Sequence, residues 1–226
     1  MARRSADVPG ADEPKRRGHP VLWTIVSVLL IVAGLTFAAP SLWPSMLDEP
    51  GQVRDMDNNL VIPDEPQATS SEILEQIQMV VDDGGDGFVV PSVDLDVPLG
   101  SINAVEGDIN PPDFTGAFVV RNHGVSLDQA DQGTVYIATH SLFGGRAPGN
   151  YLQTFGQTTL KPGDIIKANG RQYEFVEVRI VDKKKLAEDA ELWTNDPGRL
   201  IVITCAVRPE GGRAVNNMVI IAKLIA

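Results

Sequence analysis

The chain has 226 residues, 19 basic against 30 acidic, a formal net charge of −11 and one cysteine. So acidic a surface repels phosphate backbones and argues against nucleic acid as a partner. A lone thiol makes no internal disulfide, so an exported domain of this chain must be held by its core alone, which about 130 residues suffice to build.

In chain order, residues 1–20 are polar and carry Arg3, Arg4, Lys15, Arg16 and Arg17. The uncharged run VLWTIVSVLLIVAGLTFAA follows at 21–39. About 20 apolar residues cross a bilayer core as a helix, so the run predicts a single transmembrane signal anchor. Basic residues crowd its N-terminal side, while Asp48, Glu49, Asp55 and Asp57 follow the other end. The positive-inside rule then predicts a cytoplasmic tail at 1–20 and an extracytoplasmic remainder at the cell membrane. A cleaved signal peptide is the competing reading, but its apolar region is usually shorter and Pro40 directly after Ala38-Ala39 is a poor cleavage context. Beyond the anchor stand 14 basic and 27 acidic residues, a net charge near −13.

Residues 40–87 are rich in Pro, Asp, Glu and Gly without sustained period and predict an acidic spacer. Within it, SSEILEQIQMVV places Ile73, Leu74, Ile77 and Val80 or Val81 at helical spacing behind a serine cap. The run DDGGDG at 82–87 lacks the later glutamate of a calcium loop, and no metal is expected there.

From residue 88 to 226 the pattern becomes short β-type runs between turns. These are VDLDV (93–97), TGAFVV (115–120), GTVYIATH (133–140), GDIIKA (163–168), RQYEFVEVRIV (171–181), RLIVITC (199–205) and NMVIIAKLIA (217–226). Asn169-Gly170 between two such runs is a hairpin signal. The prediction is a mainly β domain, a closed barrel of seven or eight strands with short helices.

Cys205 ends the run RLIVITC, and three readings stand open for it: a packed core residue, an intermolecular link or a nucleophile. A nucleophilic thiolate needs a base or cation beside it. Of the three histidines, His19 lies before the apolar segment, His123 sits in a turn-like stretch, and His140 closes its strand as Cys205 closes its own. If those two strands are adjacent and parallel, both ends reach one rim. Arg208 and Arg213 follow the cysteine on one loop, where a guanidinium could face an oxyanion.

The run GTVYIATHS, then NYLQTFGQTTLKPGD, then RLIVITC with Arg213 behind it, resembles the sortases, membrane-anchored cysteine transpeptidases of Gram-positive cell surfaces. The resemblance spans residues 88–226. It implies Cys205 as the nucleophile on a Leu-Pro-x-Thr-Gly-like sorting signal of a surface protein or pilin. It implies His140 as the acid and base, and Arg213 as the oxyanion or substrate-backbone donor. It sets Thr204 and Thr139 along the substrate groove, and it implies an amine of peptidoglycan or of another pilin as acceptor. The chemistry requires no cofactor and no metal.

The chain departs from the family pattern in two places. Thr139 stands before the histidine where glycine is common. Arg213 precedes the last apolar run by several residues, with Asn216 or Asn217 nearer to it, which leaves Arg208 as a rival. The segment 181–199 assigns no subclass. The alternative function is a non-catalytic, membrane-tethered β-domain that binds sorting signals or organises the envelope; a hydrolytic variant is a third. SLFGGRAPGN after His140 reads as a loop beside the site, since no phosphate-cradle Lys-Ser or Lys-Thr follows it.

Overall fold

The computed structural model describes residues 53–61, 87–104 and 108–225. The expected tail at 1–20, anchor at 21–39, serine-capped helix and residues 82–86 of the acidic glycine run lie outside them. Among the described residues no helix is long and apolar enough to cross a membrane.

Thirteen strands follow in chain order among the described residues. They are β1 (Val53–Arg54), β2 (Leu60–Val61), β3 (Phe88–Val90), β4 (Leu95–Val97), β5 (Leu99–Ile102), β6 (Ala117–Val120) and β7 (Thr134–Thr139), then the short helix α1 (Pro148–Tyr151). After it come β8 (Gln153–Thr154), β9 (Gln157–Thr158), β10 (Ile165–Ala168) and β11 (Arg171–Asp182), the short helix α2 (Lys183–Leu186), β12 (Arg199–Cys205) and β13 (Asn216–Leu224). Nine strands make one sheet in the order β4-β3-β10-β11-β13-β12-β7-β6-β5. Its two edges, β4 and β5, are consecutive in the chain with only Pro98 between them, so the sheet must curl until its edges meet. The result is a nearly closed barrel.

The main sheet therefore has nine strands, not the seven or eight expected. Two strands are absent from the seven runs read in the sequence. One is β3, FVV, only three residues long and paired with β10 and β4. The other is β5, LGSI, where Gly100 interrupts the apolar run and Pro98 marks a turn, and which parallel pairing with β6 stabilises regardless.

The central strands β7, β12 and β13 are apolar on both faces, as strands covered on both sides must be. Val135, Ile137, Leu200, Val202, Met218 and Ile220 face the barrel interior. Tyr136, Ala138, Ile201, Ile203 and Val219 face outward and are covered by Leu192, with Leu186 and Trp193 of the β11–β12 segment packed alongside. That double burial is why RLIVITC reads as a continuous run.

The Asn169-Gly170 hairpin forms as expected. Ala168 pairs with Arg171 across it, and the two turn residues have φ of 44° and 79°, the left-handed pair that a two-residue hairpin turn demands. In β11 a bulge falls between Phe175 and Glu177. It leaves Val176 exposed and switches the inward set from Tyr173 and Phe175 to Val178.

Within the stretch read as spacer, β1 and β2 form a small antiparallel hairpin. The Asp55 carboxylate closes its turn, accepting from the N–H groups of Asp57 and Asn59 at 3.0 and 2.8 Å and from Arg146 N–H at 3.1 Å. Val53 and Val61 pack against Phe114, Leu142 and Ala147. The described residues accordingly all belong to one compact unit.

Candidate active site

Strands β7 and β12 pair in parallel, from Arg199 opposite Thr134 to Ile203 opposite Ala138. Continued two residues past its last pair, the same register would set Cys205 level with His140, on chains that are spaced about 4.8 Å apart where they pair. Side chains alternate between the faces of a strand. Ile201 and Ile203 face the outer side, as do Tyr136 and Ala138, so Cys205 and His140 project from that same face. The register thus points the strand ends that bear the two residues paired in the sequence toward one rim, and both residues are half-buried.

The imidazole is held from two directions. Its ring stacks on Phe114 with centroids 4.2 Å apart and planes 23° apart. His140 Nε2 lies 2.9 Å from the carbonyl oxygen of Pro111. A carbonyl only accepts, so Nε2 carries a proton there, and proton exchange with a reacting group falls to Nδ1. The turn bearing Phe114 is closed by Asp113, whose carboxylate accepts from the N–H groups of Thr115 and Gly116 at 2.8 and 2.9 Å.

The loop after His140 is pinned by Asn150. Its Oδ1 accepts from the N–H groups of Leu142 and Ala147, at 2.9 and 3.0 Å, and its Nδ2 donates to the Leu142 carbonyl at 2.7 Å. Gly149 donates its N–H to the His140 carbonyl at 2.8 Å. A Cβ on Gly149 would lie 2.2 Å from both Ser141 Oγ and Thr204 Oγ1, so only glycine permits this approach.

Thr204 and Thr139, expected along a substrate groove, are buried at 2% and 3% exposure. Thr204 Oγ1 lies 2.8 Å from Ser141 Oγ, and Thr139 Oγ1 donates to the Gly116 carbonyl at 3.1 Å. By strand alternation both hydroxyls point away from the face that bears Cys205.

Arg213 is exposed on the loop between β12 and β13. Arg208, on the same loop, is ion-paired with Glu210 through its guanidinium, with Nε 2.7 Å from Oε1. Glu210 sits below the ordinary carboxylate value, held there first by its own backbone N–H and then by Arg208. Asn217 stands opposite Cys205 across the β12–β13 ladder. It shares the outer face with Val219 and is 9% exposed. Asn216 faces the other way, into a cleft of about 550 Å³ lined also by Phe155, Ile180, Arg208 and Val215.

His123 is excluded from the site. Its turn adjoins the Thr134 end of β7, where Val125 N–H donates to the Thr134 carbonyl, six residues and about 20 Å from His140. Its ring packs edge-on to Trp193, 5.1 Å between centroids. Trp193 itself is a packing residue: it lies 5.0 Å from the Tyr136 ring and donates Nε1–H to the Leu186 carbonyl at 2.7 Å.

Gln153 was missed by sequence reasoning. It is 4% exposed and hydrogen-bonds the backbone on both sides of Ala206, at the Cys205 carbonyl and the Val207 N–H. No sequence motif marks it, because its role depends on a contact between residues 52 positions apart.

Among known proteins, no family model and no curated protein matches the chain. Solved structures do. Sortase A of Listeria monocytogenes aligns with a TM-score of 0.46 at 19% identity, covering 64% of this chain and 89% of that one. Sortase A from Corynebacterium diphtheriae aligns at 0.47 and 17%, covering 86% and 84%. Sortase C-1 from Actinomyces oris aligns at 0.43 and 13%, covering 84% and 95%. All three are sortases, and each aligns with a TM-score below 0.5.

Proposed function

We propose that this chain is a sortase-type cysteine transpeptidase. The observation that supports the reading is the parallel β7–β12 pairing, whose register, continued two residues past Ile203 and Ala138, leads to Cys205 and His140. The Cys205 thiolate attacks the carbonyl carbon of the scissile peptide bond in a Leu-Pro-x-Thr-Gly-like sorting signal of a surface protein or pilin. The tetrahedral oxyanion collapses, His140 gives its proton to the departing amine, and a thioester to Cys205 remains. An amine from peptidoglycan or from another pilin then attacks the thioester. His140 takes that amine's proton, the new amide forms, and the thiolate leaves.

Arg213 serves as the donor to the oxyanion or the substrate backbone. The family resemblance supports this assignment, and Arg208, ion-paired with Glu210 on the same loop, is the rival for the role. Thr204 and Thr139 contribute through backbone and packing, because their hydroxyls are spent inside the barrel. Residues 21–39 anchor the chain in the cell membrane, with residues 1–20 cytoplasmic and the barrel outside.

The test is a mass-spectrometric cleavage screen of five-residue sorting motifs with and without a diamine. Cleavage that is diverted from acid to amide by the diamine, and lost in Cys205→Ala, supports the reading. Acid as the sole product points to the hydrolytic variant, and no cleavage at all to a binding domain.

A further inference from the structure

We infer that Gln153 is a positioning residue that clamps Cys205 to the end of the His140 strand. The inference rests on the reading of Cys205 as the nucleophile. A primary carboxamide has two N–H donors and one oxygen with two lone pairs, and in Gln153 all four are used. Nε2 donates to the Cys205 carbonyl at 2.8 Å and to Ser141 Oγ at 2.9 Å. Oε1 accepts from the Val207 N–H at 2.9 Å and the Gly156 N–H at 3.0 Å. The partners also settle which way the amide faces, since Val207 and Gly156 can only donate and the Cys205 carbonyl can only accept.

The consequence is mechanical. Beyond Ile203 the β7–β12 ladder ends, so the two reactive residues lie past the last rung that would hold them together. Gln153 replaces the missing rungs. It grips the carbonyl of Cys205, the chain two residues on, and through Ser141 the residue next to His140. Ser141 Oγ in turn meets Thr204 Oγ1 at 2.8 Å, so both strand ends hang from one buried network. The side chain is 4% exposed, and water cannot easily stand in for it. Glutamate lacks the donors, and asparagine is one methylene short. Gln153 acts on the sulfur only by fixing the backbone that carries it.

The test exploits Cys205 being the only thiol in the chain. The iodoacetamide alkylation rate of the full-length protein is measured from pH 5 to 10 for the native chain, Gln153→Ala and Ser141→Ala. Sorting-peptide turnover and thermal midpoint are recorded beside it. Ser141→Ala is nearly isosteric and cuts only the link to the His140 side, so it reports even if Gln153→Ala fails to fold. The expected result is an alkylation profile displaced along the pH axis in the same sense in each variant that folds. With it goes a kcat lower by on the order of tenfold to a hundredfold at similar KM, the scale of a misplaced reacting group. Superposable profiles, with or without a loss of thermal stability, overturn the inference. A native chain that turns over no peptide, yet shows displaced profiles in the variants, removes the proposed function and leaves the clamp standing.

Discussion

At the scale of single residues, the site is built by groups that do no chemistry. The imidazole is held in place by the Phe114 ring beneath it and by the Pro111 carbonyl, which takes Nε2–H. General acid–base groups contribute roughly 10²–10⁴ in rate, so His140→Ala should lower peptide turnover by that range while leaving the barrel folded. Arg213→Ala should cost about 10²–10³, the usual loss for an oxyanion donor, and Arg208→Ala much less. Retention of activity in Arg213→Ala would move the role to Arg208, or to Asn217, which stands directly across from Cys205. Gly149→Ala is a packing prediction. Its methyl would lie 2.2 Å from two hydroxyl oxygens, so thermal unfolding should show a loss of about 1–3 kcal/mol, and turnover should fall with it because the clash is against the Ser141–Thr204 network.

At the scale of elements, the 53–61 hairpin reaches the site indirectly. It rests on Phe114, Leu142 and Ala147, and Phe114 is the ring beneath His140. Asp55 is the post that holds it. Burial pushes its carboxyl up, but hydrogen bonds from Asn59, Arg146 and Asp57 together outweigh that and hold it below its ordinary value of 3.8. A carboxylate with a depressed folded value stabilises above the unfolded value and loses that contribution as pH falls through the folded one. The stability gap between the native chain and Asp55→Ala should therefore be constant above pH 3.8 and shrink below it, as thermal melts across the acid range will show. The Met56 amide, which donates to the Arg146 carbonyl at 2.8 Å, should lose exchange protection in the same variant.

At the scale of the whole molecule, the barrel is ordered from its centre outward. Strands β7, β12 and β13 are buried on both faces, so the slowest-exchanging amides should be those of Val135, Ile137, Val202 and Ile220, with exchange quickening toward β4 and β5. The parts legible in the sequence were those whose physics is local. Continuous apolar runs announced the central strands, Asn169-Gly170 announced its hairpin, and the shared strand-end position of His140 and Cys205 announced the pair. What stayed hidden depends on partners distant in the chain. LGSI is a strand only because β6 lies beside it, DMDNN is a docked turn only because Arg146 comes to Asp55, and Gln153 reaches Cys205 and Val207, more than fifty positions away.

The central claim is that Cys205 and His140 project side by side from one face. A disulfide requires Cα atoms about 4.4–6.8 Å apart, and neighbouring strands meet that condition. His140→Cys, mildly oxidised and then alkylated, should yield a bridged protein about two mass units lighter that takes up no alkylating agent until reduced, consistent with Cys205 being the sole native thiol. Two thiols that both alkylate freely after oxidation would contradict the account.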